Sequence, residues 1–453
     1  MAIRKRCASS PFVARVSAGA IGFATLLACA NAPEQAQNAI LISVDTLRAD
    51  HMGMYGYERD ATPHLDRFFA RGTVFDQAVS PAPCTLPAVP QVLAGAWVVE
   101  NAQPSLAELL AEAGVATAAV ASQHQFRQGS EQSSDAFALA ASVPRGFEHF
   151  DLQATDAVDD HGFSTRSARE VTDRALAWLD ERDPAVPFFL WVHYFDPHDP
   201  YEPPETFRRF GANDPSSRDG DRRRDLVAAA GPGLPWQRAG HIFDERDVAR
   251  LVDLYDGEIL YTDAEIGRLL DELERTGLVD RSIVAFFSDH GEWLGEGDRW
   301  DHCRTLRDVE LHVPLAVVLN GGRLDEHAHV LEPVTLLDLA PTVLAAVGLD
   351  AAGKGYDGRD LRNRDAAAPV FAAWRGLAAA RQRDWKLLYD RGRPTGLYAV
   401  ASDPDERRNR LGEGIPEEAR LLAHVERFVA SEPGLRAQNR ETLERLRALG
   451  YAE

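Results

Sequence analysis

The chain has 453 residues, 45% of them hydrophobic, with 49 basic and 70 acidic residues and a net charge of −21. A chain of this length buries a core without disulfide support, and at ~100–200 residues per domain it suggests one large unit and a smaller one. The charge argues against a nucleic-acid partner, which needs a basic footprint; the excess acid reads first as solubility.

Arg4, Lys5 and Arg6 precede an apolar stretch, Val16 to Ala28. It is shorter than the ~20 residues that a bilayer span needs and suits the apolar region of a signal peptide. It ends in Leu26-Leu27-Ala28-Cys29, which resembles a bacterial lipobox, whose cysteine is lipidated and becomes the first mature residue. Residues 1–28 are therefore expected to be a lipoprotein signal peptide, Cys29 the lipidation site and residues 29–38 a tether. The protein is then exported to the bacterial cell envelope and held at a membrane by lipid, facing the periplasm or exterior. An ordinary signal peptide is the alternative. No later segment is long and apolar enough to span a membrane. Of the four cysteines, only Cys84 and Cys303 remain in the body of the chain. Two thiols in an oxidising compartment can pair, but sequence spacing does not give proximity.

Ala39-Ile-Leu-Ile-Ser-Val44 is a nearly continuous apolar run, the mark of a strand buried on both faces. Pro187–Tyr194, Ser282–Phe287 and Val313–Leu319 are runs of the same kind. Helical periodicity covers Ser105–Ala113, Ala168–Glu181, Glu245–Thr276 and Val334–Val347. This alternation predicts an α/β fold with a mostly parallel central sheet flanked by helices. Residues 206–243 interrupt it with a polar, Gly/Pro-rich segment, the composition of a lid, a binding loop or a disordered stretch. From residue 368, strand-like runs (Val370–Trp374, Trp385–Tyr389, Gly396–Val400) and a last helical stretch predict a small α+β C-terminal subdomain over 368–453. Residues 39–367 form the main domain in this reading.

Three of the buried runs end in reactive residues. Asp45-Thr46 follows the first, Phe195-Asp196-Pro197-His198 the second, and Ser288-Asp289-His290-Gly291-Glu292 the third. In open α/β sheets ligands bind outside the carboxyl ends of strands, so these residues should converge on one rim. Asp45, Asp289 and His290 make two carboxylates and an imidazole, a set for a hard-to-borderline metal ion. Singly, each has a plainer reading, the aspartates as turn or cap residues and His290 as a core histidine. In SPAPCTLPAVPQVLAG (80–95) a loop runs into a short helix. Thr85 is a good N-cap there, and Pro87 is tolerated in a first turn. A hydroxyl at that point also faces the free N–H groups and positive dipole end that favour an anion. On local grounds capping is the simpler reading.

Together these segments resemble the sulfatase family of the alkaline-phosphatase superfamily, over about residues 38–411. NAILISVDTLRADHMGMYGY (38–57), ATPHLDRFFARGTVFDQAVS (61–80), FFLWVHYFDPHDPYEPP (188–204), YDGEILYTDAEIGRLLDEL (255–273), SDHGEWLGEGDRWDHCRTL (288–306) and LYAVASDPDERRNRL (397–411) occur in the family's order. The resemblance implies a metal-dependent hydrolase of sulfate or phosphate (di)esters with a small anionic substrate. The family nucleophile sits in Cys-x-Pro-Ser-Arg, its cysteine oxidised to formylglycine. Alignment on Pro87 and Gly95 puts Thr85, not Cys84, at that position, and Val89 replaces the Arg. Formylglycine is therefore not expected, and a covalent Thr85 intermediate is. A threonine there resembles the phosphodiesterase and phosphoethanolamine-transferase branches.

The family's Asp-Asp and Asp-Asn pairs are Asp45-Thr46 and Asp289-His290 here. Gaining an imidazole implies one divalent ion, zinc or manganese in preference to calcium, held by Asp45, Thr85, Asp289 and His290. His198 matches the family histidine that contacts the transferred anionic group, and His302 falls where sulfatases carry a Lys or His. Arg304 is expected to help neutralise charge. The family's Gly-Glu-His-Gly is Gly295-Glu296-Gly297-Asp298, and the loop after Gly95 has no Tyr-Pro-His run, so the usual pocket is trimmed. A phosphoethanolamine-type group transferase and a non-catalytic anion-binding lipoprotein are the alternatives. Cys84 adjoins Thr85 and Cys303 adjoins His302, so both thiols are expected near the same rim.

Overall fold

The computed structural model of the chain describes residues 35–97, 104–122, 126, 142–152, 166–211, 245–319, 324 and 327–432. The signal-peptide stretch, Cys29 and most of the 206–243 segment lie outside them. Eight strands form the main sheet in the order Ala328–Val330, Thr73–Phe75, Leu315–Leu319, Ser282–Ser288, Asn38–Val44, Phe188–Tyr194, Ala116–Ala121, His149–Asp151. The last five in that order run parallel. Their apolar residues alternate between two cores. Ile40, Ile42 and Val44 face the helices Pro63–Phe69, Ala168–Glu181 and Glu245–Arg275. Ala39 and Leu41 face the helices Thr85–Ala94, Leu106–Glu112 and Leu339–Ala346. Burial on both faces is why these strands read as unbroken apolar runs.

The sheet is mostly parallel, as expected, with one reversed strand third from one edge. Leu315–Leu319 is as buried as its neighbours but runs antiparallel to both Ser282–Ser288 and Thr73–Phe75. The chain leaves Ser288, stays on that end of the sheet through residues 289–314 and re-enters without a crossover helix, which forces the reversal. The predicted helix Val334–Val347 is α-helical only from Leu339 to Ala346, with a 3-10 turn at Leu336–Asp338 leading into it. Val334–Thr335 instead pairs with Ala78–Val79, and the Thr335 side chain accepts from Leu337 N. The tether ends before residue 38: Ala36 is buried, and its N–H donates to Ala346 O at 3.1 Å.

Beyond the main sheet, Val370–Trp374, Leu377–Gln382, Trp385–Asp390 and Arg393–Ala399 form an antiparallel four-stranded sheet. The helix Pro416–Ser431 covers it with Leu421, Val425 and Phe428. A buried ion cluster joins this sheet to the main domain. Lys386 Nζ lies 2.5 Å from Asp308 Oδ1 and 3.2 Å from Glu406 Oε1, and Arg381 Nη1 donates to Asp308 Oδ2 at 3.0 Å. Burial works to raise the Asp308 pKa, but the Lys386 and Arg381 charges outweigh it and hold the carboxyl below its ordinary range.

Lys386→Met keeps the bulk and removes the charge, leaving buried carboxylates undercompensated. Breaking a buried pair in this way costs about 3–5 kcal/mol, to be read as a fall in the urea midpoint. Because the folded pKa of Asp308 is depressed, its contribution is present above the unfolded value of ~3.9 and is lost as pH falls below it. The destabilisation caused by Lys386→Met should therefore be large at neutral pH and shrink in acid.

Candidate active site

Parallel register places Val44 opposite both Ser288 and Tyr194, so the residues just past these three strand ends emerge on one rim. Asp45 N donates to Tyr194 O at 2.9 Å, and Asp289 N to Val44 O at 3.3 Å. The ligand atoms of Asp45, Asp289 and His290 lie within 4.8 Å of one another, and all three residues are fully buried. The rim is clamped from beneath. Ser80 Oγ donates to Asp289 O, Ser288 Oγ donates to His290 O at 2.8 Å, and Tyr255 OH donates to Thr46 O at 2.8 Å.

Thr85 reaches this group from the opposite core. Cys84, in extended backbone, is the N-cap, and Thr85 is the first helical residue. The capping reading of Thr85 is thereby overturned: no side chain caps this helix. Thr85 Oγ1 lies 3.0 Å from His290 Nε2 and 3.3 and 3.4 Å from the two Asp45 oxygens. The helix is fixed at its far end by Gly95, in left-handed backbone (φ 60°). A Cβ there would stand 2.4 Å from Tyr356 Cδ1.

The four groups fit a small divalent cation. Burial, then the Asp289 charge, raises Asp45 well above the carboxylate range; burial pushes Asp289 up to about 7. Asp289 Oδ2 is buried with no hydrogen-bond partner and lies 3.7 Å from His290 Nε2. His290 Nδ1 is 2.9 Å from Gly291 O. A carbonyl only accepts, so Nδ1 carries the proton and Nε2 presents its lone pair to the cluster, the tautomer of a metal-ligating histidine. Burial, then the His302 charge, holds His290 well below its ordinary range and so neutral.

His302 and His198 stand beside the cluster. The His302 ring is 4.6 Å from that of His290 and 5.0 Å from that of His198, which also stacks on Phe195 at 4.4 Å. His302 Nδ1 lies 3.2 Å from Asp301 Oδ1 and 3.6 Å from Glu292 Oε2, an electrostatic contact without hydrogen-bond alignment. Burial works against the charged ring, but Asp301 and Glu292 outweigh it and raise His302 to about 10. Arg304 points its Nη2 to Asp301 Oδ2 at 2.7 Å. Its predicted place at the transferred group is therefore one step removed, through Asp301 and His302. Glu292 is the residue that sequence reading left unassigned. It is fully buried, accepts from Tyr201 OH at 2.5 Å and faces His302. Its signal was a carboxylate two residues beyond His290 in a segment with no surface periodicity.

The two thiols pair. Cys84 and Cys303 form a disulfide, Cα to Cα 4.8 Å, across 219 residues of sequence. Cys303 N also donates to Pro83 O at 2.8 Å. The strap carrying His302 is thus tied to the loop carrying Thr85.

Two measurements check this geometry. Zinc or manganese should raise the thermal midpoint of metal-stripped protein, by the equivalent of ~2.7 kcal/mol at a hundredfold excess over Kd. Asp289→Asn should abolish the rise. A wild-type midpoint indifferent to both ions would remove the metal assignment. Separately, Cys84→Ser with Cys303→Ser should lower stability by about 2–4 kcal/mol, read by denaturant unfolding.

Residues 37–349 match the Sulfatase family. Human iduronate 2-sulfatase is 26% identical, the match covering 71% of this chain and 70% of that protein. The structure of BT4656 in complex with its substrate D-glucosamine-2-N,6-O-disulfate superposes with a TM-score of 0.67 at 18% identity, covering 90% of this chain and 99% of that one. The phosphonate monoester hydrolase of Agrobacterium radiobacter superposes with a TM-score of 0.63 at 19% identity, covering 89% and 96%. With more than half its length matched, the chain belongs to the Sulfatase family and is a hydrolase of ester bonds.

Proposed function

We propose that the protein hydrolyses sulfate or phosphate (di)esters of small anionic substrates through a covalent Thr85 ester, using one divalent ion, zinc or manganese. The observation that carries this reading is the convergence of the Thr85 hydroxyl on His290 Nε2 and the Asp45 carboxylate. Cys84 supports it from the other side. Its sulfur is bonded to Cys303, so it is not free for oxidation to formylglycine. An imidazole with two carboxylates and a hydroxyl suits a borderline ion better than calcium, which takes 6–8 oxygens. The Leu26-Leu27-Ala28-Cys29 stretch supports an exported chain held to a membrane by lipid on Cys29.

Asp45, Thr85, Asp289 and His290 would hold a divalent ion, which would supply Lewis acidity that lowers the Thr85 hydroxyl pKa. The hydroxyl proton leaves toward Asp45, and Oγ1 attacks sulfur or phosphorus as the bond to the leaving oxygen breaks. The imidazolium of His302, or His198 beside it, gives the leaving oxygen a proton. N–H groups of the first helical turn and the positive charge of His302, backed by Arg304, offset charge on the non-bridging oxygens. The imidazole left neutral by the first step takes a proton from water. That water attacks the Thr85 ester and releases sulfate or phosphate, and Oγ1 recovers its proton.

The test is a panel of 4-nitrophenyl sulfate, phosphate and phosphodiester esters with zinc, manganese and calcium. Thr85→Ala should lose turnover by about 10³-fold or more on the best substrate, and mass spectrometry of quenched wild type should find the ester mass on the peptide holding Thr85. Wild-type turnover by Thr85→Ala would sink the scheme.

A further inference from the structure

The C-terminal sheet presents a hairpin tip to this same rim. Trp374 and Leu377 are the last paired residues, leaving Arg375-Gly376 as a two-residue turn with φ of 46° and 89°. Both values are positive, as a hairpin turn of this kind requires, and the position ordinarily favours Asn, Asp or Gly. Arg383 and Arg391 occupy the other two tight turns of the sheet with φ of 53° and 44°, so the backbone alone does not single out Arg375. Its side chain does. Arg383 and Arg391 are exposed, while Arg375 is partly buried and lies over the Trp374 ring at 4.4 Å. Trp374 Nε1 in turn donates to Cys303 O at 2.8 Å, one residue from His302 and through the disulfide one residue from Thr85.

Arg375 has no carboxylate within ion-pair distance among the described residues, and its Nε is buried without a hydrogen-bond partner. The charge that acts on it is another cation, Arg304, whose own Nε is also buried and unpartnered. Burial, then the Arg304 charge, pushes Arg375 down to about 10. Two guanidinium groups brought together with unused donors, in a chain of net charge −21, leave a local deficit of negative charge that a guanidinium fork meets with an oxyanion.

We infer that Arg375, with Arg304, forms a second anion subsite beside the reacting ester, so that the substrate carries a further sulfate, phosphate or carboxylate besides the group cleaved. The inference rests on the hydrolase reading and narrows its substrate class to polyanionic esters. Arg304 connects to the first site only through its bond to Asp301 beside His302. Arg375 serves the second site alone.

The test uses non-hydrolysable probes on the metal-loaded protein by calorimetry: benzenesulfonate, benzene-1,3- and 1,4-disulfonate, and 3-sulfobenzoate. At least one dianion should bind about tenfold more tightly than benzenesulfonate, and the disulfonate and sulfobenzoate arms separate a sulfate-like from a carboxylate second group. Arg375→Asn suits the turn and should erase the advantage while leaving benzenesulfonate affinity and the thermal midpoint within error. Arg391→Asn, at the neighbouring exposed tip, should change nothing. Equal affinity for all probes in wild type, or an advantage that survives Arg375→Asn, overturns the subsite. Because binding is read without turnover, loss of the Thr85 mechanism and loss of the subsite are separate outcomes.

Discussion

Two carboxylates, Asp45 and Asp289, are fully buried with ligand atoms within 4.8 Å of each other. At an effective dielectric constant of ~20 their repulsion at that distance is about 3–4 kcal/mol, and desolvation adds to it. Neither residue can move away. Parallel pairing sets Val44 against Ser288, and the Ser80, Ser288 and Tyr255 hydroxyls hold the backbone just beyond. The pair therefore rests on a positive countercharge or on protons, and the raised carboxyl pKa values express that demand. The rest of the rim is arranged around it. His290 stays neutral and turns Nε2 inward, Thr85 offers a hydroxyl in place of a third carboxylate, and the cationic ring is one place further out, at His302.

That layering separates two electrostatic tasks. The inner groups are acceptors and suit a cation. The outer shell of His302, Asp301, Arg304 and Glu292 keeps a cationic imidazole next to the inner set and suits an anion arriving from solvent. Glu292 is anchored on both sides, its carboxylate facing His302 and accepting from Tyr201 OH while its backbone carbonyl accepts from Arg48 Nη1 at 3.3 Å. An anionic ester fits between a cation and a cationic ring. If His302 lost its carboxylate neighbours and became neutral, that ring would no longer attract the ester or hold the proton for its leaving oxygen.

Much of this was legible in the sequence because both cores draw on the central strands. An apolar run buried on two faces marks a central strand, and the polar residue that ends it marks the rim. Asp45, His198, Asp289 and His290 were found that way, and Thr85 came from register against a family pattern. The reversed strand was not legible, because Leu315–Leu319 is as apolar as a parallel strand and direction is set by connection rather than composition. The strand Leu377–Gln382 (LAAARQ) was missed because alanine has little β-propensity; pairing on both sides imposes the strand. Thr85 read locally as a cap because sequence gives the helix start but not what the hydroxyl faces. Trp374 and Arg375 carried no local signal. Their place at the rim depends on a contact with Cys303 across 71 residues.

The loop from Asp301 to Cys303 shows why the site needs those distant contacts. Asp301 and Cys303 both adopt left-handed backbone, with φ of 74° and 64°, as does Thr46 at 56°. For residues with a Cβ such conformations are costly, of order 1–3 kcal/mol each, and persist only where the surroundings over-determine them. Around Cys303 the surroundings do so three times, through the disulfide to Cys84, the N–H bond to Pro83 and the Trp374 bond to its carbonyl. These constraints come from different parts of the chain: the loop before Thr85 supplies two and the C-terminal sheet the third. The buried Lys386–Asp308–Glu406 cluster then fixes that sheet to the main domain. The C-terminal sheet is in this sense part of the active site's support rather than an appendage. A change that loosens the ion cluster should reach His302 through Trp374 and Cys303 before it reaches the strands that lead to Asp45 and Asp289.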